Sequence, residues 1–323
     1  MNGLAAAPRR RLGHSGIEVA PIGLGCMGLS IAYAPGSVDD ATGIEVIRRA
    51  VDLGVTLFDT SDAYGPHVNE VLVGRALAPV RDRVVIATKA GCAPNRESYV
   101  PRPDGRPDVL KAACDASLAR LGIDVIDLWQ LHRADPAVPI EESVGAMGEM
   151  VQAGKVRAIG LSEVTVEQLD AAWAAFPFAC VQSELSLWTR DVLDAILPWC
   201  GAHDVAFVPF APLGRGFLTG TIDEGTSFTV DDVRAVNPRF TPEARAANAA
   251  IVAGVRDVAA RLGVTPAQVA LAWVLAQGEA VVPIPGAGSV AHVEENVEAA
   301  GNRLDAAAIA ALDGLPPAVG SRY

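Results

Sequence analysis

The chain has 323 residues, half of them hydrophobic, and a formal net charge of −12. That length is enough for two domains, or for one α/β barrel that exceeds the usual domain size. The acidic balance argues against nucleic acid and anionic membranes as partners, because their phosphates select basic surfaces. Cys26, Cys92, Cys114, Cys180 and Cys200 form no C-x-x-C pair. They read as reduced thiols of a cytoplasmic protein, neither a disulfide framework nor a zinc site. No apolar N-terminal run suits a signal peptide or a membrane span, and no H-E-x-x-H occurs, so no membrane and no metal are expected.

Residues 9–20 are predicted as a hairpin turning at Ser15-Gly16, placed to cover the bottom of the fold. The first strand is expected at Ile22–Gly25. It runs into Gly23-Leu24-Gly25-Cys26-Met27-Gly28, which spells G-x-G-x-x-G. That fingerprint marks a Rossmann site only when a helix opens inside it. Here a Pro35-Gly36 turn signal follows, and helical periodicity starts only near Asp39. The glycines therefore need another reason, either close backbone approach to a ligand or a plain tight loop. Further strands are expected at Leu57–Asp59, Val84–Lys89, Ile126–His132, Ala158–Ser162, Cys180–Glu184, Ala206–Pro209 and Val281–Ile284. Between them lie helical patterns at Ala41–Leu53, Glu70–Leu77, Val109–Leu121, Ile140–Ala153, Val166–Ala174 and Leu193–His203. Ala246–Leu262, Pro266–Gln277 and Val290–Ala299 complete the set. Gly54, Gly154 and Gly263 supply helix stops. Eight strands alternating with helices predict one (β/α)₈ barrel domain over residues 1–323, with a doubly wound sheet as the runner-up. Residues 212–240 form a long loop, a feature that is usually functional or disordered.

In a barrel the reactive groups stand at the C-terminal ends of the strands. Strand two ends in LFDTSDAYG, with Asp59 and Tyr64; strand three ends in VVIATKAG, with Lys89; strand four ends in LWQLHRAD, with His132. The chain has only three lysines. An ammonium at the end of an apolar strand needs a partner, and Asp59 is the neighbouring one. The pair is either a satisfied ion pair at the rim or an electrostatic device. In the second case Lys89 lowers the Tyr64 pKa, and the phenol donates a proton near neutral pH. His132 either adds a hydrogen bond to the same oxygen or is a satisfied core histidine.

These residues, with NEVLVGRAL, IGLSEVTVEQL, VQSELSLWTRD and PLGRGFLTG, resemble the aldo-keto reductase superfamily, in particular its pyridoxal-reductase and perakine-reductase-like branch. The resemblance covers nearly the whole chain. It implies a (β/α)₈ fold, a nicotinamide cofactor held without a Rossmann domain, and a tetrad of Asp59, Tyr64, Lys89 and His132 with Tyr64 as general acid–base. It also implies that Gly23, Gly25 and Gly28 line the end of strand one, where backbone passes beneath the nicotinamide, and that Gly25, Cys26 and Met27 bind the cofactor. Ser162 and Gln182 match carboxamide-binding positions, and Glu163 stands where many members have Asn. Phe210 matches the aromatic that stacks on the nicotinamide. Pro212, Leu213, Gly214, Arg215, Gly216 and Leu218 match the loop over the pyrophosphate, where Arg215 is either the charged contact or a solvated loop arginine.

The stretch PIPGAGSVAHVEEN departs from the family pattern. Gly286, Glu295 and Asn296 are in place. Gly288 and Ser289 replace the usual basic pair for the NADPH 2′-phosphate, and His292 stands where some members have Arg. The resemblance implies NADP(H); the missing basic residues open NAD(H), since a phosphate normally needs charge-assisted donors. The expected activity is hydride transfer between nicotinamide C4 and an aldehyde or ketone, or the reverse alcohol oxidation. Substrate choice is expected from loops around Tyr33, Trp129, Trp188 and the segment after Phe217. Two alternatives stay open: a cofactor-sensing binding protein with little turnover, and a barrel lyase with a Schiff base on Lys89.

Overall fold

The chain opens with a hairpin in which β1 (Arg10–Arg11) pairs antiparallel with β2 (Glu18–Val19). Gly16 takes the left-handed turn position, φ +73°, which costs a glycine little. Leu12, Ile17 and Val19 are buried against Leu57, Val85, Leu128 and Val282. The hairpin thus plugs the end of the sheet where the strands start. This is a computed structural model that describes all residues except 1–2, 32, 34–37, 94–101 and 323. The Pro35-Gly36 turn lies outside the described residues.

Seven parallel strands follow: β3 (Leu24–Gly25), β4 (Leu57–Asp59), β5 (Val85–Ala90), then β8 (Ile126–Leu131), β9 (Val156–Ser162), β10 (Cys180–Gln182) and β11 (Ala206–Phe207). They pair strictly in chain order. A small antiparallel pair, β6 (Cys92–Ala93) with β7 (Arg102–Pro103), sits between β5 and β8 in the chain. Several strands are shorter than their predicted runs, and isolated contacts such as the Glu184–Phe210 bridge carry the pairing beyond them.

The predicted eighth strand is the clearest case. Val281 bridges Phe207 on one edge of the sheet, and Gly286 bridges Gly25 on the other. On the β11 side, the N–H groups of Val282 and Ile284 donate to the carbonyls of Phe207 and Pro209 at 2.8 and 3.0 Å. On the β3 side, the carbonyls of Pro283 and Pro285 accept from Gly23 and Gly25 at 2.9 and 3.1 Å. Proline has no N–H to return, so that ladder runs one way. The segment still joins both edges and closes the barrel.

Closure also accounts for two of the glycines. A Cβ on Gly25 would meet the Ile284 carbonyl oxygen at 2.8 Å, and one on Gly23 would meet Ile284 Cγ2 at 2.9 Å. Packing of the closing segment is by itself enough to require them. Gly25→Ala is expected to destabilise the fold by about 1–3 kcal/mol, as overpacking does. A lower urea midpoint at unchanged slope would register it.

Helices cover the outside of the sheet: α1 (Asp40–Asp52), α2 (Val68–Leu77), α3 (Pro107–Leu121), α4 (Ile140–Gln152), α5 (Val166–Ala175) and α6 (Ile196–Ala202). After them come α7 (Pro242–Leu262), α8 (Pro266–Leu275), α9 (Val290–Glu298) and α10 (Ala306–Asp313). Asp39 caps α1, and Thr165 with Gln168 forms a capping box on α5, each satisfying backbone N–H groups that the first turn leaves open. Gly54, Gly154 and Gly263 all adopt the left-handed conformation at helix ends. The helix α10 was not anticipated, because its alanine-rich sequence offers only a weak apolar stripe. Among the described residues no single helix is long and apolar enough to cross a membrane.

Candidate active site

The parallel strands bring three chemically unlike groups to one rim. Asp59 is the last residue of β4, Lys89 lies on β5, and His132 follows β8 directly. Lys89 is fully buried. Its Nζ donates to Asp59 Oδ1, to the Thr60 carbonyl at 2.9 Å and to Tyr64 Oη at 3.2 Å. Three protons meet three acceptors, so the ammonium is satisfied. Burial alone would push its pKa down, but Asp59 and Tyr64 reverse this and the net shift is upward. A lysine held charged in this way is a poor Schiff-base nucleophile, which counts against the lyase alternative.

Asp59 is held from its other oxygen. Oδ2 accepts from Gln182 Nε2 at 2.9 Å and from Gln130 Nε2 at 3.2 Å. Tyr64 comes from the turn after β4, and its ring meets that of His132 edge-on at 5.9 Å. The Tyr64 pKa is raised rather than lowered, which corrects the expectation: burial is the largest effect and outweighs Lys89. The phenol therefore keeps its proton at neutral pH. His132 moves the other way. Burial, Lys89 and Arg133 hold it well below the usual histidine range, so the imidazole is neutral. Its Nδ1 lies 3.1 Å from Ser61 Oγ.

Next to this group stand Ser162 and Gln182, at the ends of β9 and β10. Ser162 Oγ accepts from Arg133 Nη1 at 3.1 Å and keeps its own hydrogen to give. Gln182 commits its amide hydrogens to Asp59 and to Gln130 Oε1, leaving Oε1 without a partner among the described residues. Phe210 packs half-buried against the barrel interior. Glu163 is left-handed, at φ +54°. Its carboxylate accepts from the Glu184 N–H at 3.1 Å and pairs with Arg322 of the C-terminal tail at 2.5 Å.

In the loop after β11, Gly214, Arg215 and Gly216 are all left-handed. A Cβ on Gly214 would meet the Trp188 ring at 2.8 Å, so the loop lies directly on that indole; Pro212, Leu213 and Leu218 complete it. Arg215 is no solvated loop arginine. Its guanidinium is buried and pairs with Glu184 at 3.3 Å. The first turn of α9 lies beyond Gly286, whose carbonyl accepts from Asn296 Nδ2 at 3.5 Å. Ser289 caps this helix by accepting from the His292 N–H at 3.3 Å, and His292 is exposed. Glu295 lies half-buried on the same helix.

Other expected residues point elsewhere. Side chains alternate along a strand, and Thr88, paired with Trp129 in register, hydrogen-bonds Glu70 of α2. Trp129 accordingly packs between sheet and helices, outside the barrel, and is no substrate wall. Trp188 is buried against Phe217 at 4.7 Å, as a floor for the loop. The Cys26 thiol is likewise buried in the outer core, so only its backbone borders the rim; Met27 opens the following turn. Tyr33 lies under the Arg234 guanidinium at 5.0 Å.

Two supporting residues escaped the sequence reading. Gln130, two positions before His132, faces the same side by strand alternation and could have been found that way. Asn69 is fully buried; it accepts from Thr60 Oγ1 and donates to the Cys26 carbonyl and Ser30 Oγ, all within 2.9 Å. It thereby ties the β3 loop to the end of β4. No local pattern signals that contact.

The family model described as "Aldo/keto reductase family" matches residues 21–316. A "probable aldo-keto reductase 1" from Glycine max is 42% identical over 295 residues, 91% of this chain and 84% of that protein. Among solved structures, a glycerol dehydrogenase from Gluconobacter oxydans superposes with a TM-score of 0.86 at 30% identity, covering 95% of this chain and 94% of its own. An aldo-keto reductase from Klebsiella pneumoniae in complex with NADPH gives a TM-score of 0.74 at 26% identity, covering 97% and 98%. The seven-stranded parallel sheet, the closing segment and these matches lead to one conclusion: the chain belongs to the aldo/keto reductase family.

Proposed function

We propose that this protein is a nicotinamide-dependent oxidoreductase that interconverts an aldehyde or ketone and its alcohol, with Asp59, Tyr64, Lys89 and His132 as its reacting group. The observation that carries this reading is the buried Lys89 ammonium shared between Asp59 and Tyr64 Oη. The nicotinamide, when bound, supplies the hydride. The residues present fit its carboxamide: the Ser162 hydroxyl offers a donor and Gln182 Oε1 an acceptor. Phe210 offers a ring face, which is all that stacking needs.

In reduction, Tyr64 gives its proton to the oxygen of the carbonyl. Its raised pKa keeps that proton in place until negative charge develops on the substrate. Lys89 then stabilises the phenolate, and Asp59, fixed by Gln130 and Gln182, stops the ammonium from moving. His132 orients the carbonyl oxygen as a neutral hydrogen-bonding group. The loop 212–218 and the first turn of α9 would hold the rest of the cofactor, with Arg215, anchored to Glu184 through Nη2, as the charged residue of that loop. Residues 1–323 act as one domain in this reading, and 212–240 is the segment over the cofactor.

Cofactor choice rests on Gly288, Ser289 and His292. The Ser289 hydroxyl already serves the α9 cap, and no lysine or arginine stands between Gly286 and Asn296. NADH is therefore expected to compete with NADPH. Side-by-side fluorescence titrations of the two, followed by turnover with a panel of aldehydes, test the whole reading; binding of neither would overturn it. Ser289→Arg is expected to tighten NADPH about tenfold or more, as a hydrogen bond to a charged group does, with little change for NADH. An unchanged ratio would remove the 2′-phosphate from this helix.

A further inference from the structure

We propose that Ser61 and Asp62 form a relay that decides which ring nitrogen of His132 carries its hydrogen, and so whether His132 donates to a carbonyl or accepts from an alcohol. They are positioning residues, and the proposal rests on the carbonyl-reductase reading of the site. Ser61 Oγ stands 3.1 Å from His132 Nδ1 and 3.2 Å from Asp62 Oδ1, and it accepts from the Ala63 N–H at 3.1 Å. Ser61, Asp62 and His132 are all buried. The Lys89 carbonyl, at 3.4 Å from Ser61 Oγ, is the longer alternative and already accepts from the Asp62 N–H at 3.1 Å. Nε2 of His132 has no partner among the described residues, so it is the nitrogen left for a substrate.

A hydroxyl carries one hydrogen. When Asp62 is ionised it only accepts, and the Ser61 hydrogen points to it. Ser61 Oγ then accepts from Nδ1–H, and Nε2 is a bare acceptor. When Asp62 is protonated it donates to Ser61 Oγ, Ser61 donates to Nδ1, and the ring hydrogen sits on Nε2. Oγ accepts twice and donates once in both states. Moving from the acid to the basic state shifts the Asp62 proton to Oγ and the Oγ proton to Nδ1, and one proton leaves Nε2 for solvent.

The surroundings support a change of state in the working range. Burial first, then Glu70 of α2, push the Asp62 carboxyl up to about 7, against Arg120 of α3, the Ser61 hydroxyl and the Ala63 N–H. Among the described residues, the Cys92 thiol of β6 also feels Asp62. Among the described residues, Lys89 and Arg133 are the charged groups that shift His132, and both disfavour imidazolium, so the ring changes tautomer rather than charge.

The test is a long-range ¹H–¹⁵N spectrum of the uniformly labelled protein without cofactor, followed from about pH 5.5 to about pH 8.5, the range in which histidine states are read. The His132 signals are assigned by their loss in His132→Gln. The Nε2–H form is expected at low pH and the Nδ1–H form at high pH, with a midpoint near that of Asp62. Asp62→Asn is expected to keep Nε2–H throughout, and Ser61→Ala to abolish the swap. A single tautomer across the range in the unaltered protein, or a swap that survives Asp62→Asn, overturns the proposal. In turnover, kcat for reduction should fall several-fold from low to high pH with KM little changed, and Asp62→Asn should flatten that ratio toward one. An unflattened ratio removes the positioning role. An intact tautomer swap with no turnover of any carbonyl would instead defeat the reductase reading.

Discussion

Tyr64→Phe is expected to cut carbonyl turnover by about 10²–10⁴-fold, the usual size of a general-acid contribution, while nucleotide affinity stays nearly unchanged. The substitution removes only Oη, the atom that accepts from Lys89 Nζ at 3.2 Å. The ring keeps its edge-on contact with His132, so the pocket keeps its shape. Because burial raises the Tyr64 pKa, the unaltered phenol stays protonated through neutral and mildly alkaline pH. Loss of reduction in that range cannot then be assigned to Tyr64 ionising. Steady-state rates with an aldehyde, paired with the fluorescence titration, check the prediction. A variant that keeps most of its rate would move the proton donor elsewhere.

Lys89→Met is expected to cost about 3–5 kcal/mol of stability, because removing one partner leaves the other charge buried and unpaired. Asp59 is only 3% exposed. Gln130 and Gln182 still serve its Oδ2, but Oδ1 would lose its ammonium. Adding Asp59→Asn to that variant should recover a large share of the loss, since no lone charge then remains inside. Urea unfolding of the two single variants and the double variant measures this. A Lys89→Met protein as stable as the parent would show that Asp59 reaches water or another cation. Turnover should be lost in all three, whatever their stability.

Much of this molecule is legible in the chain. Apolar runs alternating with helical stripes indicated a barrel, and the polar residue closing each run placed Asp59, Lys89 and His132 at one rim. Both inferences use only local periodicity and the fact that parallel strands point the same way. Where periodicity carries no information, the reading failed. The side of β8 on which Trp129 lies follows from its pairing with Thr88, whose partner Glu70 sits on a different helix. Whether Arg215 meets solvent depended on Glu184, thirty-one positions away. The glycines of the first strand looked like a ligand cradle, yet Gly23 and Gly25 answer to Ile284, on the segment that closes the barrel.

The direction of the Tyr64 shift marks the division most sharply. From the sequence, a lysine near a tyrosine implied a lowered pKa. Only the packed structure weighed that charge against loss of water around the phenol, and burial won. The succession of strands and helices along the chain and the kinds of reacting groups are local properties and could be read directly. The balance between desolvation and charge depends on every group that tertiary contact brings near, so it was decided by the fold alone.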